Sequence, residues 1–170
     1  ARGIIVDPAD PSGDTWFIAS VGGGIWKTTD AGLSWIELTR DVPNLQVSAI
    51  YMAPSNTDVI YAGTGESFWN IDVMNGNGML ESTDRGQTWQ QIPSTVDDPR
   101  WNNVSRVIVD PADENVVLAS TTTGRYKSEL SSTSSIFRST DGGTTWTEVY
   151  TSTNATSFGG GRVLQLVADP

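Results

Sequence analysis

An eight-residue segment returns three times in this chain, as TTDAGLSW at 28–35, STDRGQTW at 82–89 and STDGGTTW at 139–146. Each copy reads hydroxyl, any residue, Asp, any residue, Gly, any two residues, Trp, and the aspartates stand 54 and 57 residues apart. Self-similarity at a period of this kind marks a fold made of like units, none of which can bury its apolar face alone.

The residue types are those of a tight hairpin turn. An Asp at the head of a turn accepts hydrogen bonds from backbone N–H groups a few residues on, and a Gly two positions later supplies the positive φ that closes the loop. Thr28, Ser82 and Ser139 add a second local hydrogen bond, and Asp30, Asp84 and Asp141 with Gly32, Gly86 and Gly143 complete the turns. Trp35, Trp89 and Trp146 then open the returning strand, where the expected role is an inward wedge between neighbouring sheets. Turn chemistry accounts for every fixed position, so the three aspartates are read as structural and not as catalytic groups.

Each repeat carries four short strand signals in the same order. In the first they are IIV before an Asp-Pro turn, TWFIAS, IWKTT and WIEL. The second runs VSAIYM, VIYAGTG, GMLES and WQQI, and the third VSRVIV, VVLAST, SIFRS and WTEVY. Gly, Pro, Ser, Thr and Asp interrupt every apolar run within a few residues, and no window keeps helical spacing. The units are therefore 1–46, 47–103 and 104–160, and GRVLQLVADP at 161–170 reads as the first strand of a fourth.

The boxes resemble the Asp-box, or BNR, repeat found in sialidases, sortilin-type receptors, xyloglucanases and photosystem assembly factors. That resemblance implies an all-β propeller, with each box joining the third and fourth strands of a four-stranded antiparallel blade. The look of the whole chain, with GTGES, a long loop and then GMLESTDRGQTW, is nearest to secreted or surface-anchored bacterial Asp-box proteins of sortilin-like or glycosyl-hydrolase-like kind. Three blades and one strand leave apolar faces open, so the expectation is a piece of a longer propeller, with association of copies as the alternative.

Composition narrows the function. The chain has no cysteine and no histidine, which removes disulfides, thiolate metal sites and the usual general base. Twenty acidic against ten basic residues, a net charge of −10, argue against a nucleic-acid partner. No apolar run is long enough to span a membrane as a helix.

Loop length then selects a face. Boxes and Asp-Pro turns share one side, whereas the loops between second and third strands and the blade connections share the other and vary most. On that variable side Trp69 and Trp101 offer rings for stacking on a sugar or peptide, with Asn70, Arg100 and Asn102 as hydrogen-bonding neighbours. Of the two readings, packing of both rings beneath their own loops as satellite cores is the favoured one. Glu66, Asp72 and Asp98 are the weak candidates for a glycosidase carboxylate pair, with Asp97 and Glu129 further loop acids. Arg106, Arg125, Tyr126 and Arg162 cannot be matched to a sialidase arginine triad. Asp72 with the NGNG at 75–78 supplies oxygens of the sort calcium accepts, although a plain turn explains the segment as well; no other cofactor is expected. The reading is a non-catalytic recognition or scaffold module of an extracellular or cell-surface bacterial protein, binding glycan or protein and completed by further blades or a second copy. A sialidase-type or xyloglucanase-type hydrolase is the alternative, and a structural spacer the third.

Overall fold

The computed structural model describes residues 1–43, 45–66, 74–122, 133–152 and 166–167. They form three four-stranded antiparallel sheets in which strands follow one another in chain order. Blade 1 consists of β1 (Gly3–Val6), β2 (Trp16–Ser20), β3 (Gly24–Thr28) and β4 (Ile36–Glu37). Blade 2 consists of β5 (Val47–Met52), β6 (Ile60–Thr64), β7 (Met79–Ser82) and β8 (Gln90–Gln91). Blade 3 consists of β9 (Asn103–Asp110), β10 (Asp113–Thr122), β11 (Ser134–Ser139) and β12 (Thr147–Thr151). The only helical pieces among the described residues are 3-10 turns at Pro93–Thr95 and Pro99–Trp101. Of the segment 161–170, only Leu166 and Val167 are described.

The hydroxyl, Asp and Gly positions of the three boxes are built alike. Ser82 Oγ donates to Asp84 Oδ1 (2.8 Å) and accepts from the Gly86 N–H (2.8 Å). The Asp84 carboxylate also takes the Thr88 N–H (2.8 Å) and the Thr88 hydroxyl (2.6 Å). Thr28, Asp30 and Ser34 repeat this arrangement in blade 1, as do Ser139, Asp141 and Thr145 in blade 3. Two successive residues adopt positive φ in each box, Arg85 and Gly86 in the second, so the turn needs more than the one glycine. The N–H of the first of these residues reaches back to the hairpin of the first two strands: Ala31 to the Asp14 carbonyl, Arg85 to Asp58 and Gly142 to Asn115, the last within β10. This ties both short hairpin turns of a blade together on one side.

Two apolar clusters join the blades. The first lies between blades 1 and 2 and holds Phe17, Ala19 and Ile25 against Ile50, Ile60 and Leu80. The second lies between blades 2 and 3, where Tyr61, Met79 and Ile92 meet Val107, Val117 and Phe137. Blade 2 is covered on both faces, and every residue of β6 is buried. Close approach is required at Gly63, where an added Cβ would stand 2.5 Å from the Val104 side chain. Polar ties reinforce the same seams. Arg85 grips the buried Asp7 with two hydrogen bonds of 2.8 and 2.9 Å, and Ser48 Oγ donates to the Val104 carbonyl at 2.7 Å. Burial works against the charged Asp7, but the Arg85 guanidinium holds its carboxyl below the usual range.

The box tryptophans are not the deep wedges that the sequence suggests. All three are half-buried, and the indole N–H groups of Trp35 and Trp89 fold back onto the carbonyls of Gly32 and Gly86 at 3.1 Å. Trp89 and Trp146 pack on the margins of the two clusters, each at the seam with the preceding blade; Trp35 belongs to neither.

Two outcomes follow. Replacing Trp89 with Ala costs about 3 kcal/mol of stability in urea unfolding, the low end for removing a large ring because this one is half-exposed. A loss under about 1 kcal/mol would show that the ring does not help hold the seam. The carboxyl of Asp84 is lowered to about 2, chiefly by the Thr88 hydroxyl, and that of Asp30 to about 2, chiefly by the Ser34 hydroxyl. Depressed carboxyls stabilise the fold above the unfolded value of 3.8, and that contribution is lost as pH falls through about 2. The melting temperature therefore drops between pH 4 and pH 2, and Asp84→Asn flattens this slope; an unchanged slope would count against the assignment.

Candidate functional site

The variable face is assembled from a second repeated contact. Where each fourth strand has ended, a hydroxyl receives the backbone N–H that begins the third strand. Thr39 Oγ1 accepts from Ile25 (2.9 Å), Thr95 Oγ1 from Met79 (2.9 Å) and Ser152 Oγ from Ser134 (3.1 Å). The blade connections are fastened alongside. Gly24 donates to the Leu45 carbonyl (2.8 Å), Gly78 to Trp101 (3.1 Å) and Gly76 to Asn102 (2.7 Å). Loops of unequal length thus leave the sheets from equivalent, rigid points.

Glu66 sits on this face, just beyond β6. Its backbone N–H bonds to the Met74 carbonyl (2.9 Å), and its carboxylate, 6% exposed, takes a 2.8 Å bond from Arg2 Nη2 of blade 1. Arg2 immediately precedes β1, so one ion pair spans two blades. Nearby amides form a polar rim. Asn103 Nδ2 donates to Asn75 Oδ1 at 3.4 Å, while the buried Asn103 Oδ1 has no hydrogen-bond partner. Asn77 exchanges two bonds with Asp97, accepting its N–H (2.9 Å) and donating to its carboxylate (3.3 Å). The sequence offered a signal for Arg2 only as a cation near the start of a first strand.

Asp98, Arg100, Trp101 and Asn102 lie together in the second 3-10 turn, but not as a ligand shelf. Asp98 caps it by accepting the Arg100 N–H (2.9 Å) and pairs with the Arg100 guanidinium at 2.6 Å. That guanidinium holds the Asp98 carboxyl below its usual range, so it is ionised at neutral pH. Arg100 also lies 5.3 Å from the Phe137 ring centre and 3.9 Å from Glu148.

Trp101 is the main correction. The turn directs its ring inward, where it is 1% exposed, stacked on Phe137 at 4.6 Å and tilted against Trp146 at 4.9 Å. A ring with both faces covered has none to offer a sugar, and it belongs to the core of the seam between blades 2 and 3. Asn102 contributes its backbone carbonyl to Gly76. Glu66 and Asp98 are each engaged by a different arginine. Trp69, Asn70 and Asp72 lie outside the described residues, as do Arg125, Tyr126, Glu129 and Arg162. Among the described residues no three His, Cys, Asp or Glu side chains gather as metal ligands, and no helix is long and apolar enough to cross a membrane.

Against known families, residues 23–168 match the model of the Sortilin-Vps10 family, described as sortilin, neurotensin receptor 3. The chain belongs to the Sortilin-Vps10 family. Curated relatives of this Sortilin-Vps10 chain include a xyloglucanase of Paenibacillus sp., 31% identical over 136 residues, covering 75% of this chain and 12% of the enzyme. A xyloglucanase of Hypocrea jecorina is 28% identical over 137 residues, covering 75% of this chain and 15% of that protein. The Sortilin-Vps10 chain thus spans less than a fifth of the length of these relatives. Among solved structures, an ancestral GH74 enzyme superposes with a TM-score of 0.66 at 22% identity, covering 87% of this chain and 18% of the other. YCF48 bound to D1 peptide gives 0.53 at 18% identity, over 79% and 36% of the respective chains. Both likenesses establish the β-propeller fold of the Sortilin-Vps10 segment, in line with its three antiparallel sheets.

Truncating Arg2 to Ala leaves the buried Glu66 carboxylate without its guanidinium, and a charge-assisted bond of this kind is worth about 1.5–3 kcal/mol. With Arg2 partly exposed, a loss of about 1–2 kcal/mol is expected in urea unfolding. A stability equal to that of the parent would show that the pair does not join the two blades.

Proposed function

We propose that the chain is a run of blades from an extracellular bacterial glycoside hydrolase of the xyloglucanase kind, contributing part of the loop face along which a glycan lies. The observation that supports this most is the similarity to xyloglucanases of both a bacterium and a fungus across three-quarters of the chain. Glycoside hydrolysis calls for one carboxyl that is protonated at working pH and a second that is ionised. Asp98, ionised and bound to Arg100, suits only the second role, and in this reading the acid comes from elsewhere on the propeller face. Asp72 with Trp69 and Asn70, in the loop after Glu66, are the proposed glycan contacts of this segment. Glu66 with Arg2 fixes the root of that loop.

A second reading is a recognition module without catalysis. The arginine pairing of Glu66 and Asp98 favours it, since it occupies both described carboxylate candidates. Incubating the intact protein with xyloglucan and assaying new reducing ends separates the two. Release well above an enzyme-free control is expected. Retardation in a xyloglucan-containing native gel without new reducing ends would transfer the case to recognition, and neither effect would sink both.

A further inference from the structure

The seam between blades 1 and 2 carries charges that the seam between blades 2 and 3 does not repeat. Arg85, in the box of blade 2, crosses to Asp7 just after β1, and Lys27, which adds to the field on Asp7, stands over the Phe17 ring at 5.0 Å. The repeats align Asp7 with Ala53, Lys27 with Glu81 and Arg85 with Gly142. Two cations around one carboxylate in the first seam thus become one carboxylate and no cation at the matching positions of the second.

A hollow of about 390 Å³ opens at this place between blades 2 and 3. Glu81, Gln90 and Gln91 of β7 and β8 form one wall, and the box turn of blade 3, Gly142 to Thr144, forms the other. Ser94 Oγ ties the two together by donating to the Gly143 carbonyl. The register puts Tyr61, Glu81 and Gln90 in one cross-strand row of blade 2, on the side that faces blade 3. Burial, and then the neighbouring Glu81 carboxylate, push the Tyr61 phenol well above its usual range, and Glu114 and Asp113 add to the same negative field. Among the described residues no Lys or Arg pairs with Glu81. Gly142 adopts the same positive φ as Arg85, 66° against 60°. A Cβ added to it would make ordinary contacts, 3.4 Å to Asn115 Oδ1 and 3.6 Å to the Tyr61 hydroxyl, so there is room where the first seam has its arginine.

We propose that this hollow binds a guanidinium group, supplied as an arginine side chain of a partner protein. The Glu81 carboxylate matches the planar fork of a guanidinium in two-point pairing, and the side-chain carbonyls of Gln90 and Gln91 can accept its remaining N–H groups. A lysine ammonium, compact and strongly hydrated, would leave more of these acceptors unused. No aromatic ring stands among the lining residues for a sugar to stack on. The hollow lies beside β8, the outermost strand of its blade, where a partner's surface can reach it. Both walls come from adjoining blades of this chain, so one copy holds the whole site.

The test is a titration of the isotope-labelled chain with the tripeptide acetyl-Gly-Arg-Gly-amide. It is read from the side-chain amide resonances of Gln90 and Gln91 and the backbone amides of Gly142 and Gly143. Saturating shifts with a Kd of about 1–5 mM are expected, the range of a single charge-assisted contact. Glu81→Gln keeps the shape of the wall and weakens binding about tenfold or more. Gly142→Arg supplies the guanidinium from within and abolishes the response. If the positive φ unfolds that variant, as read from its melting curve, Glu81→Gln alone decides. No shift of these amides with the arginine tripeptide would overturn the proposal, as would unchanged affinity in Glu81→Gln. An equal response to the citrulline tripeptide, which keeps the shape and loses the charge, would do the same. So would a xyloglucan oligosaccharide that moves these amides while the arginine tripeptide does not, since the hollow would then belong to a glycan.

Discussion

Each blade depends on one carboxylate with its oxygens turned inward on its own turn. In all three boxes the aspartate takes a hydroxyl from two residues before, and a backbone N–H and a second hydroxyl from four residues after. A two-residue strand such as β4 or β8 has too few ladder bonds to hold itself against β3 or β7. The box supplies the missing constraint by fixing where the returning chain starts. It also docks on the hairpin of the first two strands through the Arg85 N–H and its counterparts, so one end of every blade is set by the same few bonds.

That uniform end makes the seams repeatable. With the turns fixed, inner strands approach closely enough to require Gly63 opposite Val104, and the interior of blade 2 is buried on both faces. Arg85 combines the two levels. Its backbone belongs to a box with positive φ, while its guanidinium crosses to Asp7 of the preceding blade. A local turn and an inter-blade ion pair therefore share one residue, which couples the folding of a hairpin to the docking of its neighbour.

Much of this was legible in the sequence because a turn has few chemical solutions. Hydroxyl, Asp, Gly and Trp at fixed offsets gave the boxes, and apolar runs of four to seven residues gave the strands. A second hydroxyl four residues after each aspartate, Ser34, Thr88 and Thr145, was equally present and escaped notice because Ser and Thr alternate there. The latches Thr39, Thr95 and Ser152 were hidden by unequal loops, which shift them against the box register. Trp101 was misjudged for a related reason. An Asp-Pro-Arg-Trp stretch in a long connection reads as exposed, and only a 3-10 turn capped by Asp98 shows that the ring points at Phe137.

The contrast between the two ends of the blades bears on where function can reside. At the box end, the hydroxyl and Asp positions of each turn spend their acceptors and donors on the turn itself, which leaves little to offer a ligand. At the other end, the inter-blade Arg2 and Glu66 pair and the amides of Asn75, Asn77 and Asn103 hold only the roots of the loops. Asn103 Oδ1 remains buried without a donor there, and at the box end the Trp146 indole N–H is likewise buried without an acceptor. A rigid root under a loop of variable length is what lets one scaffold be refitted for different ligands, since changes beyond the root need not disturb the seams. By the same reasoning, core tryptophans and loop tryptophans in such a chain cannot be told apart by composition. Trp101 lies beyond the Thr95 latch and is still core, because the 3-10 turn capped by Asp98 carries its ring inward onto Phe137.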